Sequence, residues 1–301
     1  MINALTPEEA ITRVPQWAGV SSYKVYPLGG GITNRNYRVD IKGESFALRI
    51  AGENTELLGI NREYEYKANL TAGRLGIAPE VVYFIKPEGY LVTRFITGRS
   101  IPPGEIRQPI NFRRVIEIIR KVHCMPEIPG TFSVFRVVKD YSELAHRYNV
   151  IFPPNFDWLI DKLHDAETAL IRDPFKPQPC HNDLLNENFI SDDRIYILDW
   201  EYAGMGDIFF DLANFSDNHS LTDEQDLLLL EIYFGNVEKR NLARLKIMKI
   251  ASDFREAMWG LVQIGISKLE FDFRGYSDKH FHRLTDNLYD SRWEHWLKEI
   301  K

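Results

Sequence analysis

The chain has 301 residues, of which 44% are hydrophobic and 27% charged, which is typical of a globular protein with room for two lobes and excludes a disordered chain. A formal net charge of −6 disfavours a nucleic-acid partner, which usually meets a basic stripe. Two cysteines are too few for a disulfide framework and predict a reducing cytoplasm. The amino terminus lacks a basic region and an apolar core, so we expect no signal peptide. No apolar run approaches about 18 residues, so we expect no insertion into a membrane.

The first predicted elements are a short helix and three antiparallel strands. Thr6-Pro7-Glu8-Glu9 supplies a hydroxyl cap, a proline in the first turn and a carboxylate placed for a capping box. Alternating apolar residues then predict strands over 23–28, 36–41 and 45–50.

A glycine run at 29–31, followed by Ile-Thr-Asn, lies between the first two strands. Glycines there allow backbone amides to approach phosphate oxygens closely, and the next polar residues add side-chain donors. We therefore predict that Gly30, Gly31, Thr33 and Asn34 bind the phosphates of a nucleotide. A merely flexible hairpin turn is the alternative.

The third strand places Ala47 and Arg49 on one face, opposite its larger apolar residues. Kinases place an alanine under the adenine and a cation on the phosphates in this way, so Arg49 is predicted to hold ATP. Arginine replaces the usual lysine, but its charged fork binds phosphate well. A helix beginning at 61 carries Glu63, which is predicted to pair with Arg49, with Glu65 as the alternative.

Strands over 79–84 and 89–95 complete this α+β first lobe, and Thr97-Gly98 marks a shift in composition. We predict an N-terminal ATP-binding lobe over 1–97 and a larger, mainly helical catalytic and acceptor-binding lobe over 98–301. Apolar stripes predict helices over 112–122 and 156–170, and one or two long helices are predicted from about 239 to 268.

The stretch His-Asn-Asp183, with Asn188 five residues on and Asp199 eleven further, has the spacing of a phosphotransferase. Phosphoryl transfer needs a carboxylate to accept a hydroxyl hydrogen bond and hard oxygen ligands for Mg²⁺. Asp183 is the predicted base, and Asn188 and Asp199 are the predicted metal ligands. A hairpin over 188–199 brings the two ligands together, although turn formation alone also explains Asp and Asn.

Asp211 follows a Gly-Met-Gly-Asp loop and enters a helix. Kinase-like folds bury an aspartate here that accepts hydrogen bonds from the catalytic-loop backbone. A plain helix cap is the alternative interpretation.

These motifs together resemble the choline/ethanolamine kinase family, within the aminoglycoside-phosphotransferase-like group of kinases. The resemblance runs from the glycine loop to Tyr276 and includes arginine in place of lysine on the third strand. It implies a two-lobed, protein-kinase-like fold that binds ATP and Mg²⁺ between the lobes. It also implies that Glu201 assists through a second metal ion or its water.

The resemblance further implies a small amino-alcohol acceptor, whose trimethylammonium head would be recognised by aromatic faces and nearby carboxylates. Glu256, Trp259 and Gln263 fall on one face of a late helix. Tyr276, Phe273 and Tyr202 are expected to complete a cage, with Asp217 nearby. Trp259 as a plain core residue is the alternative.

Eukaryotic choline kinases carry two tryptophans on this helix, and the first is replaced here by Glu256; Leu185 stands where they carry glutamine. These differences make the chain more similar to bacterial choline kinases. We expect ATP-dependent phosphorylation of choline. Ethanolamine, thiamine or an aminoglycoside as acceptor, and a catalytically silent nucleotide-binding protein, are the alternatives.

Overall fold

The computed structural model describes residues 5–29, 33–173 and 175–300, so Gly30 and Gly31 lie outside the described residues. The first part of the chain forms an antiparallel sheet. Its five strands are Tyr23–Leu28 (β1), Arg35–Ile41 (β2), Glu44–Ile50 (β3), Val81–Ile85 (β4) and Tyr90–Arg94 (β5). Their order in the sheet is β1-β2-β3-β5-β4. The three strands predicted first are confirmed, and β2 and β3 each begin one residue before the predicted start.

Helix α1, Pro7–Thr12, begins with the predicted capping box. The Thr6 hydroxyl accepts a hydrogen bond from the Glu9 backbone N–H at 3.2 Å, and the Glu9 carboxylate accepts one from the Thr6 N–H at 2.8 Å. The helix packs in a small apolar core with Trp17 and the buried face of the sheet, where Trp17 meets Phe46 at 5.1 Å between ring centroids. Burial of this one face explains the alternation of apolar residues in the strands.

Helix α2, Arg62–Arg74, lies between β3 and β4 in the chain, and the Asn61 side chain caps its first turn. Its buried residues Ala68 and Ala72 belong to the larger of two apolar clusters, together with the helices of the second part. The helix is therefore packed against the larger core although the chain places it among the strands of the first sheet.

The second part is mainly helical, as predicted. Its helices are Pro103–Ile106 (α3), Pro109–His123 (α4), Val134–Arg147 (α5), Phe156–Ile171 (α6), Ile208–Asn218 (α7), Asp223–Phe234 (α8), Lys239–Ile266 (α9), Phe273–Leu288 (α10) and Trp293–Glu299 (α11). Short strands connect them at Arg99–Ser100 (β6), Gln178–Cys180 (β7), Phe189–Ser191 (β8), Ile195–Ile197 (β9) and Gly204–Gly206 (β10).

Helix α9 is the centre of this part, because it packs against α5, α7, α10 and α11. Almost every residue over 243–263 is buried, so the helix has no solvent-facing side along that length. A side chain on α9 that borders the cleft is therefore packed on every side except the one that faces the cleft. Within the described ranges, no helix is both long and apolar enough to cross a membrane.

Candidate active site

The predicted hairpin carries Asn188 and Asp199 to one place. Strands β8 and β9 pair antiparallel, with Phe189 opposite Ile197, and the Leu198 N–H donates to the Asn188 carbonyl at 2.8 Å. Asp199 follows directly and adopts a left-handed backbone with φ 60°. The two predicted metal ligands therefore lie side by side at the open end of the hairpin.

Helix α7 fixes the loop that carries Asp183. The buried Asp211 carboxylate accepts hydrogen bonds from the His181 N–H at 2.8 Å and the Asn182 N–H at 2.7 Å. One turn later, the Asn214 amide oxygen accepts from the Leu184 N–H at 2.7 Å. The interpretation of Asp211 as the residue that binds the catalytic-loop backbone is confirmed over the alternative of a plain cap.

The Asp183 side chain lies in a low-dielectric position with one cationic neighbour. Burial raises the pKa of its carboxyl to about 8, while the Arg255 guanidinium, 3.3 Å from Oδ1, acts in the opposite direction. The Asn188 amide donates to the Asp183 carbonyl at 2.8 Å and so fixes the orientation of both residues. A carboxyl with a pKa near neutrality is suited to accept a proton from a hydroxyl group.

Asn188 and Asp199 have the chemistry of magnesium ligands. Because the Asn188 N–H₂ group is bound to Asp183, its amide oxygen is the atom left for a ligand. Burial and the neighbouring Glu201 carboxylate raise the pKa of Asp199 to about 6, which indicates that negative charge is concentrated there. Hard oxygen donors with excess negative charge fit a divalent cation.

Five residues form what we call the bridging cluster: Asn34, Arg49, Arg62, Glu65 and Glu201. The buried Glu65 carboxylate pairs with Arg49 and, at 2.7 Å, with Arg62. Arg62 also reaches Glu201 at 3.0 Å, and the Asn34 amide donates to the same Glu201 oxygen at 3.0 Å. The cluster thus joins the first sheet, helix α2 and the segment after β9.

The prediction that Glu63 pairs with Arg49 is wrong. Glu63 is exposed and pairs with Lys86 at 2.6 Å, whereas the alternative, Glu65, is 1% exposed and holds Arg49. The two glutamates are two residues apart, which is about 200° around a helix, so only one of them can face the sheet.

Arg49 is in the predicted position on β3. Its Nη1 lies 3.5 Å from Asp199 Oδ1, so it borders the predicted metal ligands. Burial and the nearby Arg62 lower the pKa of Arg49 to about 10, a value at which the guanidinium stays charged at neutral pH. Thr33 also borders this cluster, since its hydroxyl lies 3.4 Å from Glu201 Oε1.

A cavity of about 500 Å³ lies beside these groups. The predicted residues that line it are Thr33, Asp183, Asn188, Asp199, Glu201, Tyr202, Asp217, Glu256, Trp259 and Tyr276. The structure thus brings the predicted base, both predicted metal ligands and the predicted acceptor residues together.

The aromatic wall of the cavity comes from α9 and α10. Trp259 meets Tyr276 edge to face at 5.3 Å between ring centroids. Phe273 packs behind Trp259 at 5.8 Å, and Phe271, which the sequence did not single out, lines the cavity in its place. Gln263 is buried and is not a lining residue.

The carboxylate of Glu256 is already fully engaged. It accepts hydrogen bonds from Arg255 at 2.6 Å, from the Tyr276 hydroxyl at 2.7 Å and from the Asn214 amide at 3.3 Å. Burial alone would raise the pKa of Glu256, but Arg255, His280 and Tyr276 together outweigh it, so the pKa lies below its ordinary value. Glu256 is therefore an ion-paired carboxylate.

Asp217 lines the far side of the cavity. Its Oδ1 lies 3.5 Å from Lys249, and burial together with Asp253 raises the pKa of its carboxyl well above the ordinary value. Tyr202 lies under the Arg255 guanidinium, whose central carbon is 4.3 Å from the ring centroid.

Besides Phe271, sequence reasoning missed Arg62, His123, Asn214 and Arg255. His123 on α4 lies 3.0 Å from Asp211 and so supports the catalytic loop from behind. The role of Asn214 could have been predicted from the sequence, since it is three residues after Asp211 on the same helix face. No sequence pattern marks Arg255, because a helix that is buried on every side shows no polar face.

The model of the phosphotransferase enzyme family matches residues 24–247 of this chain. Protein LicA of Haemophilus influenzae is 30% identical over 241 residues, which cover 77% of this chain and 70% of that protein.

The crystal structure of a choline/ethanolamine kinase family protein from Mesorhizobium loti superposes with a TM-score of 0.84 at 30% identity, and 96% of each chain is covered. The crystal structure of choline kinase LicA from Streptococcus pneumoniae superposes with a TM-score of 0.78 at 24% identity, covering 93% of this chain and 98% of that one. The predicted α+β, two-lobed, protein-kinase-like fold is confirmed.

Proposed function

Because the chain belongs to the phosphotransferase enzyme family, in its choline/ethanolamine kinase group, we propose that it transfers the γ-phosphoryl group of ATP to choline. The products are phosphocholine and ADP. The observation that carries the proposal is one cavity lined by Asp183, Asn188 and Asp199 on one side and by Trp259 and Tyr276 on the other.

Nucleotide binding is assigned to the side of the cleft that faces the first sheet. Arg49 is the cation for the phosphates, Glu65 and Arg62 hold it in place, and Thr33 and Asn34 follow the glycine run. We assign residues 1–97 to an ATP-binding lobe and 98–301 to a catalytic and acceptor-binding lobe.

Asn188 and Asp199 would hold Mg²⁺, with Glu201 beside them. When bound, the ion supplies positive charge that neutralises the phosphates during transfer. Glu201 is less available than the other two, since Asn34 and Arg62 already bind it at 3.0 Å.

Asp183 acts on the acceptor. Its carboxylate accepts the hydrogen bond of the choline hydroxyl, orients the oxygen toward the phosphoryl group and takes the proton as the new bond forms. The loop backbone around Asp183 donates hydrogen bonds to Asp211 and Asn214 on α7, which hold the loop in place, and such positioning contributes much of the rate in phosphoryl transfer.

The state of Glu256, the carboxylate that contacts Tyr276, supports choline over ethanolamine. A primary ammonium needs hydrogen-bond acceptors, and Glu256 already binds Arg255, Tyr276 and Asn214. A trimethylammonium group has no N–H to satisfy and is attracted by the faces of aromatic rings. Trp259, Tyr276 and Phe271 supply those rings.

The test is ADP release by the purified protein with Mg-ATP and choline, ethanolamine, thiamine or kanamycin, each against a blank without acceptor. We expect turnover with choline to exceed that with the other three. Higher turnover with ethanolamine would refute the choline assignment and keep phosphoryl transfer to an amino alcohol. Silence with all four, accompanied by nucleotide binding, would instead support a catalytically silent protein.

A further inference from the structure

Arg255 on α9 is a buried cation at the boundary between the predicted base and the acceptor pocket. Its side chain is 2% exposed and lines the cavity. The same Nη1 atom lies 3.3 Å from Asp183 Oδ1 and 2.6 Å from Glu256 Oε1. One guanidinium therefore joins a carboxylate of the catalytic loop to a carboxylate of the pocket wall.

One further contact holds this guanidinium, and two others hold its partner Glu256. It stacks on the Tyr202 ring at 4.3 Å, and Glu256 is itself bound by Tyr276 at 2.7 Å and by Asn214 at 3.3 Å. Asn214 also binds the Leu184 N–H, next to Asp183. The contacts thus form a closed path from the loop to α7, α9 and back to the loop.

These contacts leave one carboxylate oxygen of Asp183 available to accept a hydrogen bond from the acceptor. Oδ1 is the atom that meets Arg255, while Oδ2 receives no hydrogen bond from any of the described residues. A guanidinium fixed on one oxygen restrains the rotation of the carboxylate and so the direction of the other oxygen.

We propose that Arg255 is a positioning residue, which orients Asp183 for the acceptor hydroxyl and ties that orientation to Glu256 in the pocket wall. This inference rests on the proposed phosphoryl transfer to an amino alcohol but does not depend on which amino alcohol is used. Arg255 does not assist acceptor binding, because it places a positive charge in a pocket that receives a cation.

The test measures kcat and the acceptor KM of Arg255→Met and Arg255→Lys, with the acceptor that the unaltered enzyme turns over best. We expect Arg255→Met to lower kcat about 10- to 100-fold, since misplaced catalytic groups cost rates of this order. The acceptor KM should stay level or fall, because a like charge has been removed and Glu256 has been freed. Arg255→Lys should regain about tenfold in kcat, as its ammonium can reach one carboxylate oxygen at a time.

Arg244→Met is the matched control. Arg244 lies on the same helix, is equally buried and pairs with Asp173 at 3.0 Å and Asp207 at 2.6 Å, away from the cavity. Its loss should lower Tm by a similar amount and leave kcat within about twofold. A merely structural Arg255 would make the two variants alike, with a raised acceptor KM and no rescue by lysine, and that outcome would overturn the proposal.

A crystal structure of Arg255→Met tests the positioning role of Arg255 without reference to turnover. We expect the Asp183 carboxylate to rotate away from its orientation in the unaltered protein. An unchanged carboxylate would overturn the proposal. If the unaltered protein phosphorylates none of the acceptors, the proposed function fails, and the structure still tests the role of Arg255.

Discussion

Two charged clusters border the same cleft and are built differently. The acceptor-side cluster, Asp183, Arg255, Glu256 and Tyr276, comes from one loop and two helices that all pack in the larger core. The bridging cluster joins the first sheet to the larger core through ion pairs and through the hydrogen bond from Asn34 to Glu201. Packing within one core therefore sets the acceptor pocket, whereas the proposed nucleotide side depends on polar and charged contacts held between two cores.

Asp183→Asn should have the largest effect. The amide keeps the shape but cannot take the proton, so we expect ADP release to fall about 10²- to 10⁴-fold while nucleotide binding is kept. Asp193→Asn, in the exposed turn of the hairpin, is the matched control and should be silent. Full activity of Asp183→Asn would remove this residue from the role of base.

Glu65→Gln tests the bridging cluster. It leaves Arg49 and Arg62 without their shared carboxylate, so we expect kcat/KM for ATP to fall about 10- to 100-fold, with a lower Tm. Glu63→Gln is the control, because its pair with Lys86 is exposed. Equal losses in the two variants, measured by initial rates, would contradict the assignment of Glu65.

Trp259→Ala tests whether the aromatic wall of the cavity binds the acceptor. Loss of one aromatic face should raise the choline KM about tenfold, the equivalent of roughly 1.4 kcal/mol, with a smaller change in kcat. Trp158, which stacks on Tyr289 at 5.6 Å, provides a control tryptophan outside the cavity. An unchanged choline KM in Trp259→Ala would take this residue out of the acceptor pocket.

The smallest effect is expected for the exposed pair of Glu53 and Lys268, which also connects the two parts at 3.2 Å. A double-mutant cycle to alanine, read by urea unfolding, should give a coupling energy below about 1 kcal/mol, since water screens both groups. A larger coupling energy would mean that surface charges, like the bridging cluster, help to hold the two parts together.

Local patterns allowed much of the fold and the site to be predicted. The strands of the first sheet have a buried and an open face, and the catalytic stretch is short enough for its spacing to fix the relative positions of Asp183, Asn188 and Asp199. Asp211 was predictable for the same reason, because helix α7 follows the loop closely.

The remainder depended on how distant elements pack. Glu63 and Glu65 both lie in the first turn of α2, and only the placement of that helix against β3 decides which one meets Arg49. Besides their neighbours Glu256 and Glu65, Arg255 and Arg62 reach carboxylates 72 and 139 residues away in the chain. Sequence spacing contains no information about such pairs.

Two residues of the site combine a chemical demand with a conformational one. Asn182 and Asp199 have left-handed backbones, with φ 64° and 60°, a region that asparagine, aspartate and glycine enter more readily than other residues. Saturation mutagenesis at Asp199 should therefore rank substitutions in opposite orders for folding yield and for turnover. Glycine and asparagine would be well tolerated by the chain but inactive, whereas glutamate, which keeps the charge, would be penalised by the backbone.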